Sequence, residues 1–199
     1  VVLGAAKERL ADSDEIIKLA QEMENRQGVA GGLFQRIINL MILGDVQAAD
    51  ESIEAYARLA DELRMPFNLW QLELFRGMQV MFGGSLDEAE QLTQSALGLG
   101  QRTQGQNAMQ MFGVQTYAIR REQGRLAEME AGLKGFIQMY PALPAWRTAL
   151  AFNYAERDME ADARNEFEIL AKDDFGILPR DANWPIAMAL LAETCALIG

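Results

Sequence analysis

The chain has 199 residues, a formal net charge of −11, a single cysteine and no histidine. The single cysteine excludes an internal disulfide, and the absence of histidine removes the usual acid–base group near neutral pH and the commonest nitrogen ligand for metals. The negative charge argues against nucleic acid as a partner, and no apolar run approaches the length of a membrane span. We therefore expect a cytoplasmic protein without a cofactor, and a chain that belongs to a longer polypeptide.

The composition predicts an all-α fold. Ala, Leu, Met, Gln and Glu dominate, all of them helix formers, and only five prolines occur. Apolar residues recur at spacings of three and four, as in "DEIIKLAQEM" and "SIEAYARLADEL". Helices are predicted over residues 13–27, 29–43, 46–64, 67–82, 86–99, 105–122, 126–139, 143–156, 159–172 and 182–198. The acidic stretches "DSDE" (12–15) and "DEAE" (87–90) then fall in first turns, where carboxylates offset the helix dipole.

A repeat is visible at the turns between helices. Gly44, Gly84 and Gly124 follow one another at intervals of 40 residues, and Asp158 takes the same place in a fourth copy. A glycine at a tight turn between two antiparallel helices accommodates left-handed backbone geometry. These four residues are predicted to be turn residues.

A compact residue follows each turn by five positions. It is Ala49, Ala89 or Ala163 in three copies and the adaptable Met129 in the other. A small residue in the second helix of a pair lets the two helix axes approach closely. Because one pair cannot bury its own apolar face, the copies are expected to stack on one another.

The repeat defines the predicted domain organisation. We expect a single domain over residues 1–199 with one continuous core. Its approximate units are residues 1–28 (partial), 29–65, 66–103, 104–141, 142–178 and 179–199 (a half repeat).

The repeat resembles the tetratricopeptide-repeat family. In "LPAWRTALAFNYAERDMEADARNEFEIL", Leu150, Ala151 and Tyr154 suit the family's first helix, and Ala163 and Phe167 its second. The resemblance implies a right-handed α-solenoid of stacked antiparallel helix pairs, whose function is to bind a protein or peptide. The repeats here are degenerate and lengthened, with periods of about 34 to 41 residues.

The C-terminal third carries a narrower resemblance. "YPALPAWRTALAFNYAE" followed by "DDFGILPRDANWPIAMALLAE" is similar to the helical C-terminal region of large bacterial signalling proteins. Those proteins carry an AAA-type or related ATPase module, often beside an adenylyl-cyclase or DNA-binding domain. This resemblance implies a non-catalytic interaction or regulatory module of a signal-transduction or transcription-regulatory protein. A small-molecule sensor and a structural or oligomerisation spacer remain alternatives.

The Asp-Phe-Gly triplet in "DDFGILPRDANWP" (173–185) is interpreted as part of a linker. A kinase would also need a glycine-rich phosphate loop, a strand lysine and a catalytic loop, none of which this sequence has. We expect Phe175 to tuck under the linker, Gly176 to end a helix, and Asp181 or Asn183 to cap the next one.

A concave groove is the first candidate site, because the first helices of such pairs line that face of a solenoid. The predicted lining residues are Phe34, Gln35, Ile38, Leu74, Phe75, Met78, Met111, Val114 and Gln115. An apolar lining of this kind could enclose an apolar ligand. The alternative is that the methionines and phenylalanines simply fill the core between helices.

Arg120, Arg121 and Arg125 form a second candidate, a basic patch within an acidic chain. Such a patch could bind an acidic peptide, a phosphate-bearing ligand or an acidic domain of the same polypeptide. The alternative is that these arginines balance nearby carboxylates such as Glu122 and Glu128.

The last predicted helix, 182–198, is apolar on nearly all sides. Its open face predicts coverage by a continuation of the chain or by a second copy, and hence a homodimer through this helix. Cys195 lies in this helix and is predicted to be a small buried apolar residue.

Overall fold

The structure is a computed structural model that describes residues 2–181 and 183–199, and these residues form helices and connecting turns without a strand. The α-helices are α1 (Val2–Glu22), α2 (Arg26–Leu43), α3 (Val46–Leu63), α4 (Pro66–Phe82), α5 (Leu86–Gln101), α6 (Gln106–Glu122), α7 (Glu130–Met139), α8 (Ala145–Ala155), α9 (Glu160–Phe175) and α10 (Trp184–Ile198). A short 3-10 helix, Leu126–Met129, leads into α7. The all-α prediction is confirmed, and residue 182, the predicted start of the last helix, lies outside the described residues.

The first helix differs most from its predicted bounds. It runs from Val2 to Glu22 rather than over 13–27, so "DSDE" lies in the middle of the helix and not in its first turn. The face that packs inward carries Ala6, Ser13 and Ala20, which are too small to register as an apolar stripe. The chain leaves the helix at a positive φ of 53° at Glu24.

The chain divides into two compact units, Val1–Ile119 and Arg120–Gly199, where the sequence predicted one continuous core. The boundary falls in the last turn of α6. In the first unit, α1 packs against α2, α2 against α3, α3 against α4 and α4 against α5. In the second unit, α8 packs against α7, α9 and α10.

The four predicted turn residues all have left-handed backbone geometry. The φ angles are 76° at Gly44, 83° at Gly84, 67° at Gly124 and 56° at Asp158. Glycine adopts this geometry without a Cβ penalty, whereas a residue with a side chain is disfavoured by about 1–2 kcal/mol, Asp being among the more tolerant. Three of the four copies therefore have glycine at the turn, the residue that adopts left-handed geometry at the lowest cost in free energy.

The compact residues after the turns are fully enclosed. Ala49, Ala89 and Ala163 are each 0% exposed, and Met129 is buried at 8%. Each of the three alanines lies where the second helix of a pair begins to run back along the first. A longer side chain at the three alanines would push the helix axes apart.

One core cluster of the first unit lies among α2, α3 and α4. Tyr56 and Phe75 meet edge to face with ring centroids 5.8 Å apart, and Phe34 lies 5.4 Å from Phe75 on the other side. Buried side chains that complete this cluster include Leu33, Ile37, Ile53 and Leu72.

A second cluster in the same unit joins α4, α5 and α6 around Trp70, Ala96 and Ala108. Gly100 lies against it, because a Cβ at this position would sit 2.5 Å from Trp70 Nε1 and 2.6 Å from Ala108 Cβ. The glycine is required here for close approach, not for its backbone conformation.

We predict that Gly100→Ala destabilises the protein by about 1–3 kcal/mol, since the added methyl group overpacks the contact between α5, Trp70 and Ala108. Gly98→Ala in the same helix is the control, because no described atom lies within 4 Å of its Cβ position. That variant should be neutral or more stable by up to about 1 kcal/mol. Urea unfolding of both variants measures the difference, and equal effects of the two would contradict the packing argument.

The second unit is organised around α8. Every residue from Trp146 to Ala155 is buried except Arg147, so this helix is enclosed on nearly all sides. Trp146 stacks on Phe136 of α7 with ring centroids 4.3 Å apart. Between α9 and α10, a cluster forms from Leu170, Leu178, Ala187 and Leu191.

The "DDFG" segment ends α9 and begins the connection to α10. Phe175 packs edge to face on Phe167 at 5.8 Å and against the Leu170 cluster. The right-handed helix stops before Lys172 rather than at Gly176, and the Asp181 carboxylate accepts a hydrogen bond of 2.8 Å from the Asn183 backbone amide. The interpretation of this stretch as a linker is consistent with these contacts.

Candidate functional site

The predicted groove residues lie on α2, α4 and α6 of the first unit, and the structure separates them by exposure. Gln35, Ile38 and Val114 are exposed. Five are half-buried, namely Phe34, Leu74, Met78, Met111 and Gln115. Phe75 is only 4% exposed and belongs to the core, so its prediction as a groove residue is wrong.

Most of the surface of the half-buried groove residues is in contact with other parts of the fold. Phe34 and Met78 pack on the Tyr56–Phe75 cluster, and Leu74 and Met111 pack on the Trp70 cluster. These contacts agree with the alternative interpretation, in which the methionines and phenylalanines fill the core between helices.

Gln115 holds α6 to α4 and α5. Its Nε2 donates a 2.7 Å hydrogen bond to the Leu74 carbonyl, and its Oε1 lies 3.4 Å from the Thr93 hydroxyl, which donates to it. These bonds use the amide within the fold. A ligand at this position would have to compete with them.

Exposed apolar side chains lie on one face of α1 and on one face of α2, and of these only Ile38 was predicted from the sequence as a site residue. On α1, Ile16, Leu19 and Met23 are exposed at 45%, 47% and 75%, and their spacing of three and four places them on one face. On α2, Ile38 and Ile42 share a face in the same way. We call these five residues the α1–α2 surface.

The sequence repeat shows what such positions do elsewhere in the chain. Forty residues after Ile16, Leu19 and Met23 come Tyr56, Leu59 and Leu63, and all three take part in the core cluster of the first unit. Glu24 and Arg64, also 40 apart, both have positive φ and end α1 and α3 in the same register. The α1 face is thus built like one that another helix covers.

The basic patch is an internal ion-pair network in the second unit. Arg125 reaches both carboxylate oxygens of Glu128, with distances of 2.7 and 2.9 Å, and Arg120 Nε lies 3.1 Å from the same carboxylate. The Arg120 guanidinium also donates to Gln123 Oε1 at 2.7 Å. Glu128 is one of the two balancing carboxylates considered from the sequence.

Arg121 is bound differently from its neighbours. Its guanidinium pairs with Glu193 of α10 and lies 4.4 Å from the centroid of the Phe152 ring. A cation over an aromatic face adds an attraction of about 0.5–1 kcal/mol at partly exposed sites. The predicted arginines therefore contribute to the packing of the second unit, and each has a carboxylate partner there.

A set of carboxamides, also missed from the sequence, ties three of the four first helices, α2, α4 and α8, to the element before them. Asn39 accepts from Arg9 Nε of α1 at 3.1 Å, Gln79 donates to Asp50 of α3 at 2.7 Å, and Asn153 donates to the Leu126 carbonyl. Each lies five residues before its turn residue, Gly44, Gly84 or Asp158. A repeated polar residue at that offset was the signal that could have revealed them.

We predict that Asn153→Ala destabilises the second unit by about 2–3 kcal/mol, because the buried Leu126 carbonyl loses its donor and a small cavity opens. Asn165→Ala, at an exposed position of α9, is the matched control and should change stability by less than about 0.5 kcal/mol. Chemical denaturation reports both values. Similar losses for the two variants would show that Asn153 is not a structural tie.

Glu130 is the centre of a second charged network. Its Oε1 lies 2.8 Å from Lys134 Nζ and 3.3 Å from the Tyr154 hydroxyl, and its Oε2 lies 2.7 Å from Arg157. The hydrogen bond from Arg157, followed by that from Lys134, lowers the pKa of Glu130 to about 2. The hydrogen bond to Glu130, followed by the interaction with Tyr154, raises the pKa of Lys134.

This shift predicts a pH-dependent contribution to stability. Because the folded-state pKa of Glu130 lies below the ordinary value of 4.5, its contribution is present above about pH 4.5 and is lost as the pH falls towards about 2. Glu130→Gln should lower stability by about 1 kcal/mol at pH 7, the scale of a partly exposed ion pair. The difference from the unmodified protein should shrink towards zero near pH 2.

Urea unfolding between pH 2 and pH 7 measures this profile. Glu168→Gln, on an exposed position of α9, controls for the loss of one negative charge. A deficit of Glu130→Gln that stays constant over the whole range would contradict the assigned network.

A buried polar group joins α3 to the start of α4. Tyr56 donates to Gln71 Oε1 at 2.7 Å, and the Tyr56 oxygen accepts from Asn68 Nδ2 at 3.0 Å. Burial raises the pKa of Tyr56, and the Asn68 hydrogen bond partly offsets this effect. The group fixes how α4 begins, at Pro66, against α3.

The terminal helix is more exposed than predicted at one position. Cys195 is exposed, so the prediction that it is buried is wrong. The inward face of α10 consists of Ala187, Leu190, Leu191, Thr194 and Ile198, and Cys195 lies outside this set. Ile186 and Leu197 are also exposed on this helix, at 56% and 53%.

A small apolar cleft lies where α8 and α10 begin. It is lined by Leu143 and Pro144 near α8 and by Leu178, Pro179 and Trp184 near α10. Its lining is almost wholly apolar, with Asp181 at the side. It is too small for a cofactor and suits an apolar group of a few atoms.

Two classes of site are absent from the part of the chain that the structure describes. These residues contain no group of three or more side chains suited to hold a metal ion. Among the same residues, no helix has both the length and the apolar character needed to cross a membrane.

Comparison of the chain with known proteins found no relative. No protein-family model matches the chain, and neither the curated proteins nor the solved structures include a match.

Proposed function

We propose that this chain is a non-catalytic interaction module that binds a helical segment of a protein partner, or of another domain of the same polypeptide, on the α1–α2 surface. The exposed apolar face of α1 carries the proposal. Its residues Ile16, Leu19 and Met23 occupy positions whose repeat equivalents are packed into the core. A surface of this kind is stabilised when an apolar partner helix covers it.

The chemistry of the partner follows from the surface. Its apolar side chains are rimmed on α1 by Asp12, Glu15 and Lys18, which are exposed. We therefore propose an amphipathic helix that inserts apolar residues at spacings of three and four.

The finer architecture and the biological setting are also proposals. We propose that the helix pairs form a right-handed tetratricopeptide-like solenoid, on the basis of the turn residues and the periods of 34 to 41. The resemblance of the C-terminal third supports a place in a cytoplasmic bacterial signal-transduction or transcription-regulatory protein. In that setting the module would report the presence of a partner to an ATPase-type core, which requires the partner to favour one arrangement of the helices over another.

The experiment that tests the binding surface is site-specific photo-crosslinking in the producing cell. A benzophenone amino acid replaces Leu19 or Ile38 in the full-length protein, and mass spectrometry identifies the adducts. We expect both positions to capture the same helical segment. Gln94, exposed on α5, is the control and should not capture it.

The captured segment is then synthesised as a peptide, and its affinity is measured by calorimetry. Leu19→Glu should weaken binding at least tenfold, because a carboxylate must be buried without a partner, whereas Gln94→Glu should leave it unchanged. Adducts that form equally at all three positions, or a peptide whose binding ignores Leu19→Glu, would falsify the proposal.

The same preparation discriminates the alternatives. A saturable thermal shift with one class of apolar compound would favour a small-molecule sensor. Turnover by the pure chain would overturn the non-catalytic assignment.

Self-association through α10 is a second candidate function, favoured by the exposed side chains of Ile186 and Leu197. We predict that sedimentation shows a mass that rises with concentration towards a dimer. Leu197→Glu should abolish this rise, while Gln94→Glu should not. A monomeric unmodified chain at all concentrations would remove the oligomerisation role.

A further inference from the structure

The end of α9 has an unusual backbone. Lys172 leaves the helix in an extended conformation with ψ of 141°, and three consecutive residues then have left-handed geometry. Their φ angles are 51° at Asp173, 53° at Asp174 and 61° at Phe175. Residues with a Cβ enter this region singly as a rule, so a run of three is disfavoured unless packing compensates for it.

The sequence repeat shows what the chain does elsewhere at this point. Sixteen residues after the turn residues Gly44 and Gly84 come Ala60 and Gly100, both buried inside right-handed helices, whereas the equivalent Tyr140 after Gly124 is the C-cap of α7. The equivalent position after Asp158 is Asp174. A right-handed continuation of α9 would place this carboxylate on the inward face that carries Ala163, Phe167 and Leu170.

The left-handed turn avoids that burial. In the structure Asp174 is exposed, and Phe175 packs on Phe167 and beside Leu170 and Leu178 in its place. The carboxylate stays in water, where its charge is solvated, and an aromatic ring fills the core. Two opposing effects therefore decide the conformation: the backbone favours the right-handed helix and the charge of Asp174 opposes it.

We propose that Lys172–Phe175 is a two-state segment. In the second state α9 continues as a right-handed helix through Phe175, and the charge of Asp174 is what holds the observed left-handed state. The segment leads directly into Leu178 and Pro179, which line the apolar cleft at the start of α8 and α10. A change of this segment from left-handed to right-handed backbone geometry shifts Leu178 and Pro179. The segment therefore controls the shape of the cleft.

The test uses nuclear magnetic resonance on the isotopically labelled full chain. Positive φ brings the amide proton close to the Hα of its own residue, so residues 173–175 should show strong intraresidue amide–Hα NOEs. Asp174→Ala installs the residue found at position 60. We expect it to remove these NOEs, to produce an amide–amide NOE between residues 172 and 173, whose amide protons are kept apart by the extended ψ of Lys172 in the left-handed state, and to shift the indole resonance of Trp184 in the cleft.

Asp173→Ala is the matched control, because it removes the same charge from the neighbouring position and leaves Asp174 in place. It should retain the left-handed NOE pattern. If Asp174→Ala also retains that pattern, or if the unmodified chain lacks it, the proposal fails.

Asp174→Gly gives an independent reading should the alanine variant not fold. Glycine accepts the left-handed geometry without a Cβ, so we expect a higher midpoint of thermal unfolding and an unchanged NOE pattern at 173 and 175. A lowered midpoint would show that the segment is not held against its backbone preference, and would overturn the proposal.

Discussion

The reversal of the chain at a left-handed residue is the constraint on which most of this structure depends. Gly44, Gly84, Gly124 and Asp158 each turn the chain back after a first helix. Once a turn is fixed, the offsets of the following residues are fixed as well. In the copies of Gly44, Gly84 and Asp158, the alanine five residues later meets the first helix, and the carboxamide five residues earlier meets the preceding element. The positions of these packing and polar contacts along the chain are thus set by one backbone feature, the turn.

The charged residues of the basic patch also make their contacts within the fold. Arg120, Arg121 and Arg125 look like a binding patch in one dimension, yet their carboxylate partners, Glu128 and Glu193, lie within the same unit. A basic cluster in an acidic chain is more readily neutralised by its own side chains than by a ligand. Apolar exposure is the more informative signal in this molecule, because the internal contacts leave it uncompensated.

Sequence alone predicted the elements best where large apolar side chains mark the inward face. The helices from α3 to α6 and the four turns agree with the structure to within a few residues, since "SIEAYARLADEL" and its counterparts carry a clear period. Helix α1 was misplaced because Ala6, Ser13 and Ala20 form its inward face. The groove prediction failed at Phe75 because a register error of one position moves a side chain from the surface into the core.

The exposed thiol on α10 has a practical consequence. Since Cys195 is the only cysteine of the chain, a maleimide dye or a nitroxide attaches at one defined place without any substitution. The probe would sit on an exposed flank of a helix whose inward side is packed on α8 and α9. Its mobility and polarity would report directly whether that flank is in water or under another molecule.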